Sequence, residues 1–220
     1  MHTVETAKRF DQVYQIISHP RFLARQGLGN EVPYFIETYD PHKEFAVAQE
    51  IKTLYERLVH NGVPTVDLPM YDIVIDCLVH ENRLERVFEQ EQKLPKWPDP
   101  DAPGRQRTFF MMLDSFTRPD AGKAVHAEIV RRLEAVPGHK LVLMHQLGSV
   151  FPVLRTHTLL TNLHSTICDV PLVAFFPGTY VSSERDGFYL SLFGTFNGDY
   201  YRAFQLSDYI ERGQIRADIE

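Results

Sequence analysis

Apolar positions recur at three- and four-residue spacing across residues 3–17, where Val4, Phe10, Val13, Tyr14 and Ile17 share one side of a predicted helix that Pro20 closes. Beyond a loop holding Gly27 and Gly29, residues 34–37 read as a short strand. Asp40-Pro41 then supplies a capping carboxylate and a proline suited to a first helical turn. The helix that follows carries Phe45, Ala48, Ile51, Tyr55 and Leu58 in register and stops at Asn61-Gly62. Residues 63–68 form the next strand. Strand, helix and strand with tight joints make a βαβ unit, which predicts parallel strands joined by a right-handed crossover.

Residues 71–80 (YDIVIDCLVH) and 82–92 read as short helices, the second polar and acidic on one side. Residues 94–104 (LPKWPDPDAPG) hold Pro95, Pro98, Pro100 and Pro103, which exclude a helix or an inner strand and predict an exposed loop. Helices are predicted over 106–116 and 120–136, the latter ended by Pro137-Gly138. The continuous apolar runs 140–145 (KLVLMH) and 171–176 (PLVAFF) have the length of strands buried on both faces. Between them, residues 148–163 place Val150, Leu154, His157, Leu160 and Leu163 at helical spacing, a second βαβ unit. Residues 189–193 alternate, and Gly194 and Asn197-Gly198 mark turns before 200–204 (YYRAF), which predicts an antiparallel edge hairpin. The expectation is one α/β domain over residues 1–220: a mostly parallel sheet of about five to six strands with flanking helices and that edge hairpin.

At 220 residues, 44% hydrophobic and 24% charged, the chain has enough apolar surface to build a core without a disulfide or structural metal. A net charge of −6 argues against a generally basic nucleic-acid sleeve or a polybasic membrane binder. Only residues 105–160 are net basic, through Arg105, Arg107, Arg118, Lys123, Arg131, Arg132, Lys140 and Arg155. That segment is the candidate for DNA contact, which the overall charge makes weak or indirect. The longest apolar stretches, such as 172–176, fall far short of the about 20 residues that cross a bilayer, so no membrane association is expected. Residues 3–17 lack the form of a secretory leader. Cys77 and Cys168, without CxxC spacing, read as buried reduced thiols, and a cytoplasmic location follows.

In open parallel sheets, ligands bind beyond the carboxyl ends of the strands. Those ends are predicted at Tyr39-Asp40, at Pro69 to Asp72, at His145 to Ser149 and at Pro177 to Tyr180, all on one edge. Gly148-Ser149 is expected to open a helix with free N–H groups, with Arg155 and His157 about two turns on. Ser149, Arg155 and His157 are therefore the candidates for holding an anion or a partner's carboxylate, against the plainer reading of a helix start with Ser149 as N-cap. Asp72 and Asp76, one turn apart, read as a solvated helix face, and His157 and His164 as packing residues. Tyr200, Tyr201 and Arg202 offer stacking groups, but alternation sends at least one tyrosine into the core. Gly122-Lys123-Ala124 lacks the rest of a P-loop, Gly27-Leu28-Gly29 runs on to Pro33 rather than completing GxGxxG, and GxSxG and HExxH are absent. No catalytic residue, metal site or cofactor is expected from these motifs.

Three segments carry a family resemblance: HPRFLARQGLGNEVPYFIETYDP (19–41), GSVFPVLRTHTLLTNL (148–163) and PLVAFFPGTY (171–180), with YYRAF (200–204) behind them. Their order and spacing resemble the BrxB family of bacteriophage-exclusion (BREX) phage-defence systems over nearly the whole length outside the proline-rich loop. The resemblance implies a bacterial or archaeal cytosolic subunit working beside a site-specific DNA methyltransferase, a large ATPase and the phosphatase-like PglZ, in methylating self DNA and blocking phage. It makes PglZ the first partner to expect, with the methyltransferase and ATPase after it. The family offers no established catalytic residues to carry over, in keeping with a non-enzymatic scaffold subunit. Phe151, Pro152, Arg155 and His157 match the family's FP-x-x-R-x-H stretch, whereas Gly148-Ser149 stands where Gly-Glu is typical. An acid/base role assigned to that acidic position does not transfer. The alternatives are a nucleotide- or anion-binding protein or cryptic hydrolase using the strand-end cleft, and a DNA-contacting module.

Overall fold

Helix α1 (His2–Ile17) buries Phe10, Val13, Ile16 and Ile17, while Val4 at its start is 61% exposed and falls outside the predicted stripe. The computed structural model describes residues 2–26, 33–92, 124–151, 154–183, 187–192, 196–197 and 203–207. The chain does not simply stop at Pro20. A short helix α2 (Pro20–Leu23) follows, with His19 Nδ1 accepting from the Arg21 N–H, and it buries Phe22 against Phe35. Strand β1 (Tyr34–Tyr39) leads through a 3-10 turn (Pro41–Lys43), capped by Asp40 as the sequence predicts, into α3 (Glu44–His60).

Helix α3 is present, and Ile51, Tyr55 and Leu58 of the predicted stripe face inward, but Phe45 and Ala48 do not; Val47 and Leu54 take their place. Val47, Ile51, Leu54 and Leu58 are buried, and Phe45 is 93% exposed. Positions 47, 51, 54 and 58 fall within a narrow arc, whereas Phe45 lies about 160° around the helix from Val47. The end of α3 matches its sequence signal. Gly62 takes φ +77°, and the Val63 N–H reaches back to Leu58 O at 3.0 Å, closing the last turn.

After β2 (Thr65–Pro69) come α4 (Met70–His80), α5 (Leu84–Gln92) and α6 (Ala124–Glu134), then β3 (Leu141–His145), α7 (Thr156–Leu163) and β4 (Leu172–Ser183). Strands β5 (Gly187–Leu192), β6 (Phe196–Asn197) and β7 (Phe204–Gln205) complete the described elements. The main sheet runs in the order β2-β3-β4-β1-β7 and every pairing in it is parallel. Strands β1 and β2 are thus parallel, as their βαβ unit predicts, yet β4 and β3 lie between them. The proline-rich loop at 94–104 and the predicted helix at 106–116 lie outside the described residues.

Among the described residues the predicted edge hairpin between 189–193 and 200–204 is not seen. Phe204–Gln205 instead adds in parallel to the open edge of β1, where Phe204 comes within 6.0 Å of the Phe35 ring and Leu206 is fully buried. Residues 187–192 pair antiparallel with the far half of β4, because β4 runs on through the expected loop at Pro177-Gly178. Gly178 makes that continuation possible: a Cβ there would overlap the backbone oxygen of Ser191.

Helices cover both faces of the sheet. Alternate residues of the two continuous apolar runs feed two cores: Leu141, Leu143, Val173 and Phe175 pack under α1, α2 and α3, whereas Val142, Met144, Leu172, Ala174 and Phe176 pack under α4, α6 and α7. On the first face Phe10 stacks on Phe175 with ring centroids 5.6 Å apart. On the second, Cys77 is buried; Cys168, expected to be buried, is exposed. Its neighbours Ile167 and Val170 turn inward while the thiol of Cys168 does not.

Candidate functional site

Parallel pairing brings the carboxyl ends of the strands to one edge, with Pro69 opposite His145 and Tyr39 opposite Pro177. From β1 the chain leaves over the α1/α3 face to reach β2, whereas β2 to β3 and β3 to β4 are connected over the other face. The boundary between β1 and its neighbour β4 is therefore where the winding reverses, the crevice that open α/β sheets use for ligands.

Polar residues replace apolar ones on the α1/α3 face at this end. Glu37 lies two residues beyond the buried Phe35, and its side chain, 7% exposed, takes Arg9 Nε at 2.6 Å and Arg9 Nη2 at 2.7 Å. The carboxylate holds the Arg9 guanidinium above its ordinary pKa, chiefly through the hydrogen bond. Tyr39, two residues further, donates its hydroxyl to Glu44 Oε2 at 2.6 Å; burial first and this carboxylate second push the phenol well above its usual range. Asp40 accepts the His42 N–H at 3.0 Å, which holds its carboxyl below the ordinary value. Glu37, Tyr39 and Asp40, with the N-terminal half of α1 and Lys43, line an open cavity of about 520 Å³, beneath which Phe10, Val47 and Phe175 are buried.

A second polar pair lies on the same face at β2 and β3. Asp67 alternates with Val66 and Leu68, which face the other core, and its Oδ1 is 3.0 Å from His145 Nε2. This is an acid–imidazole pair of the kind that fixes a ring's orientation and tautomer. The next residue, Gln146, adopts φ +61° and turns its Oε1 to the N–H groups of Tyr71 at 3.1 Å and Asp72 at 3.4 Å. Its carboxamide thereby caps α4, which has no side-chain cap of its own, and fastens the end of β3 to that helix.

The residues singled out from sequence lie elsewhere. Ser149 is exposed in a turn, its N–H bonded to Gln146 O at 3.2 Å, and it does not open a helix. Helix α7 begins only at Thr156, with Arg155 as an extended N-cap residue at φ −93° and ψ 126°. A helix running from Gly148 would carry Pro152 in its interior, without a donor and against the preceding carbonyl. Arg155 is consequently at the helix start, exposed, with no side-chain partner among the described residues; the side chain of His157 lies outside them. Leu147, Val150 and Leu154 anchor this loop to the α4/α6/α7 core, on the opposite face from Glu37 and Asp67.

The basic segment is partly neutralised from within. Arg131 and Arg132 both bind Glu128, at 2.6–3.0 Å, and Arg132 also reaches Asp76 at 2.7 Å. Asp76 is thus not merely a solvated helix face. Beside this network, burial pushes the Cys77 thiol up to about 12, leaving it unreactive. Arg105, Arg107, Arg118 and Lys123, like Tyr200, Tyr201 and Arg202, lie outside the described residues. Among the described residues no group of His, Cys, Asp and Glu is arranged to hold a metal ion, and no helix is long and apolar enough to cross a membrane.

An open α/β sheet with helices on both faces and a polar carboxyl edge defines the class of protein. Its family follows from comparison with known proteins. The family model described as BREX protein BrxB matches residues 66–206. A BREX protein BrxB of Bacillus cereus (strain H3081.97) is 34% identical over 205 residues, covering 91% of this chain and 97% of that relative. A second, from Escherichia coli O9:H4 (strain HS), is 29% identical over 199 residues, covering 90% of each. No solved structure matches the chain. The chain belongs to the BrxB family, and so is a component of a BREX phage-defence system.

Proposed function

We propose that the chain is a non-enzymatic assembly subunit that docks onto the PglZ component of its BREX system, and through it supports methylation of host DNA and restriction of phage. The observation that carries this reading is the match to BrxB proteins along nearly the whole chain, coupled with a sequence that offers no nucleophile elbow, P-loop or metal-binding motif. Ser149, Arg155 and His157 are the contact candidates: the exposed Arg155 guanidinium, with no side-chain partner among the described residues and on a loop held by three buried side chains, is suited to a partner's carboxylate. The methyltransferase and ATPase are further partners in this reading, contact with DNA is indirect, no cofactor is required and the complex is cytoplasmic. The engagement of Arg131 and Arg132 by Glu128 and Asp76 favours protein docking over DNA binding.

Size-exclusion chromatography with light scattering on the chain mixed with PglZ from the same system, at low and moderate salt, tests it. A salt-resistant complex of fixed stoichiometry supports docking, and Arg155→Ala should weaken that complex while leaving the thermal midpoint of the free chain unchanged. Absence of any complex at micromolar concentration overturns it.

A further inference from the structure

The exits of β2 and β3 lie side by side, with Pro69 opposite His145, and one side chain joins them. Helix α4 starts directly after Pro69, which offers its first turn no capping side chain. The acceptor comes instead from a residue 75 positions beyond Tyr71. Gln146 Oε1 takes the N–H groups of Tyr71 at 3.1 Å and Asp72 at 3.4 Å, the second and third helical positions that a local N-cap residue ordinarily serves. The backbone of the same residue starts the loop. Gln146 O accepts the Ser149 N–H at 3.2 Å, Gly148 O that of Phe151 at 3.3 Å and Val150 O that of Leu154 at 2.9 Å, while Leu147, Val150 and Leu154 enter the α4/α6/α7 core. One residue upstream, the His145 ring is tied to Asp67 at 3.0 Å, so the strand end from which the loop departs is fixed. Gln146 itself holds φ +61°, a conformation that glycine adopts freely and that glutamine adopts only against its own Cβ. Its carboxamide, which glycine lacks, accounts for a glutamine at this position.

We propose that Gln146 is a positioning residue for partner docking: its carboxamide clasps the start of α4 and thereby holds the loop that carries Ser149 and Arg155 in one path, without itself meeting the partner. The inference rests on the reading of that loop as the docking surface. A loop already in its bound shape loses less conformational freedom on association, so a clasp outside the contact strengthens binding by ordering the free chain. The clasp also makes Tyr71, 47% exposed on the first turn of α4, part of the same rigid unit as the exposed Ser149. A local cap at position 69 would have held α4 and left the loop independent of it. Capping from the end of β3 couples the two.

The test pairs amide hydrogen exchange of the free full chain, read by NMR, with its affinity for PglZ from the same system. Gln146→Gly accepts the positive φ but has no acceptor: exchange at Ser149, Phe151 and Leu154 should quicken by about tenfold or more while the amides of α1 and α3 keep the parent's rates. Its affinity for PglZ should fall by about tenfold with Arg155 intact. Gln146→Glu keeps an oxygen at that place and adds a charge favoured at a helix N-terminus, so it should restore both. Leu54→Ala, which weakens the core on the other face of the sheet, should keep the parent's affinity. A glycine variant with the parent's loop exchange, a loosened loop with the parent's affinity, or a glutamate variant that rescues neither would overturn the proposal. Should the parent itself not bind PglZ, the docking reading falls and takes the affinity claim with it, whatever the exchange rates.

Discussion

Arg9 grips Glu37 through two hydrogen bonds of 2.6 and 2.7 Å, tying the first helix to the carboxyl half of the inner strand β1. Glu37 is almost fully buried while the Arg9 side chain is 34% exposed, so the pair is half desolvated. Removing Arg9 leaves a carboxylate in the core side of the sheet without its partner. Arg9→Ala should therefore lower stability by about 1–3 kcal/mol, below the full cost of breaking a deeply buried pair because water still reaches one side. The double substitution Arg9→Met/Glu37→Leu should recover most of that loss. Urea denaturation of the two variants checks both statements; a double variant as unstable as the single one would show that the pair is required beyond its charge compensation.

The phase of α3 separates two substitutions that composition alone would rank together. Phe45 is almost wholly in solvent and Leu54 is 3% exposed. Phe45→Ser should change stability by less than about 0.5 kcal/mol, whereas Leu54→Ala should cost about 2–4 kcal/mol. Chemical denaturation distinguishes them, and a large loss from Phe45→Ser would mean that its ring is covered.

That helix also marks where the sequence was readable. Its start at Asp40-Pro41 and its stop at Asn61-Gly62 were legible because capping is local chemistry. Its inward face was legible only in part, at Ile51, Tyr55 and Leu58: apolar residues occur on two sides, and the packing of α1 and the sheet selects Val47 and Leu54 over Phe45 and Ala48. Strand runs such as LVLMH and LVAFF were legible from burial on both faces, but their order was not, since pairing partners are far apart in sequence. The polar edge was missed for a similar reason. Glu37, Asp67 and His145 are single polar residues in or at the end of apolar strands, and only the register shows that they share a face with the α1/α3 layer. A polar residue in the last two positions of a buried strand was the available signal.

Tyr34 opens β1 with a side chain buried to 2% exposure, and its hydroxyl has no hydrogen-bond partner among the described residues. Burial, with a smaller contribution from Cys168, keeps the phenol protonated far above neutral pH, so the group is a neutral orphan rather than a charge. Tyr34→Phe removes the unsatisfied hydroxyl and keeps the ring against His164, 5.8 Å away. The variant should match the parent or exceed it by about 1 kcal/mol. A clear loss in a differential scanning calorimetry comparison would reveal a partner for that hydroxyl.

Acid sensitivity should concentrate at Glu128, whose side chain is 5% exposed and accepts from Arg131 Nε and Nη2 and Arg132 Nε. The bond to Arg131 is the largest influence on its carboxyl; burial opposes it, Arg132 adds to it, and the net result is a folded-state pKa below the ordinary 4.5. A depressed folded-state value means that the unfolded chain takes up the proton first as pH falls. The stabilisation is thus fully present above about pH 4.5 and is lost as pH drops through the lower, folded-state value. Glu128→Gln, which keeps the shape but not the charge, should lower the thermal midpoint at neutral pH and flatten its decline between about pH 5 and pH 3. Midpoints measured by circular dichroism across that range decide the matter: parallel acid limbs for parent and variant would place the titrating carboxylate elsewhere. Because Arg131 is 63% exposed, part of the neutral-pH difference should also shrink on adding salt, while the bond between Arg132 and Asp76 continues to join α6 to α4.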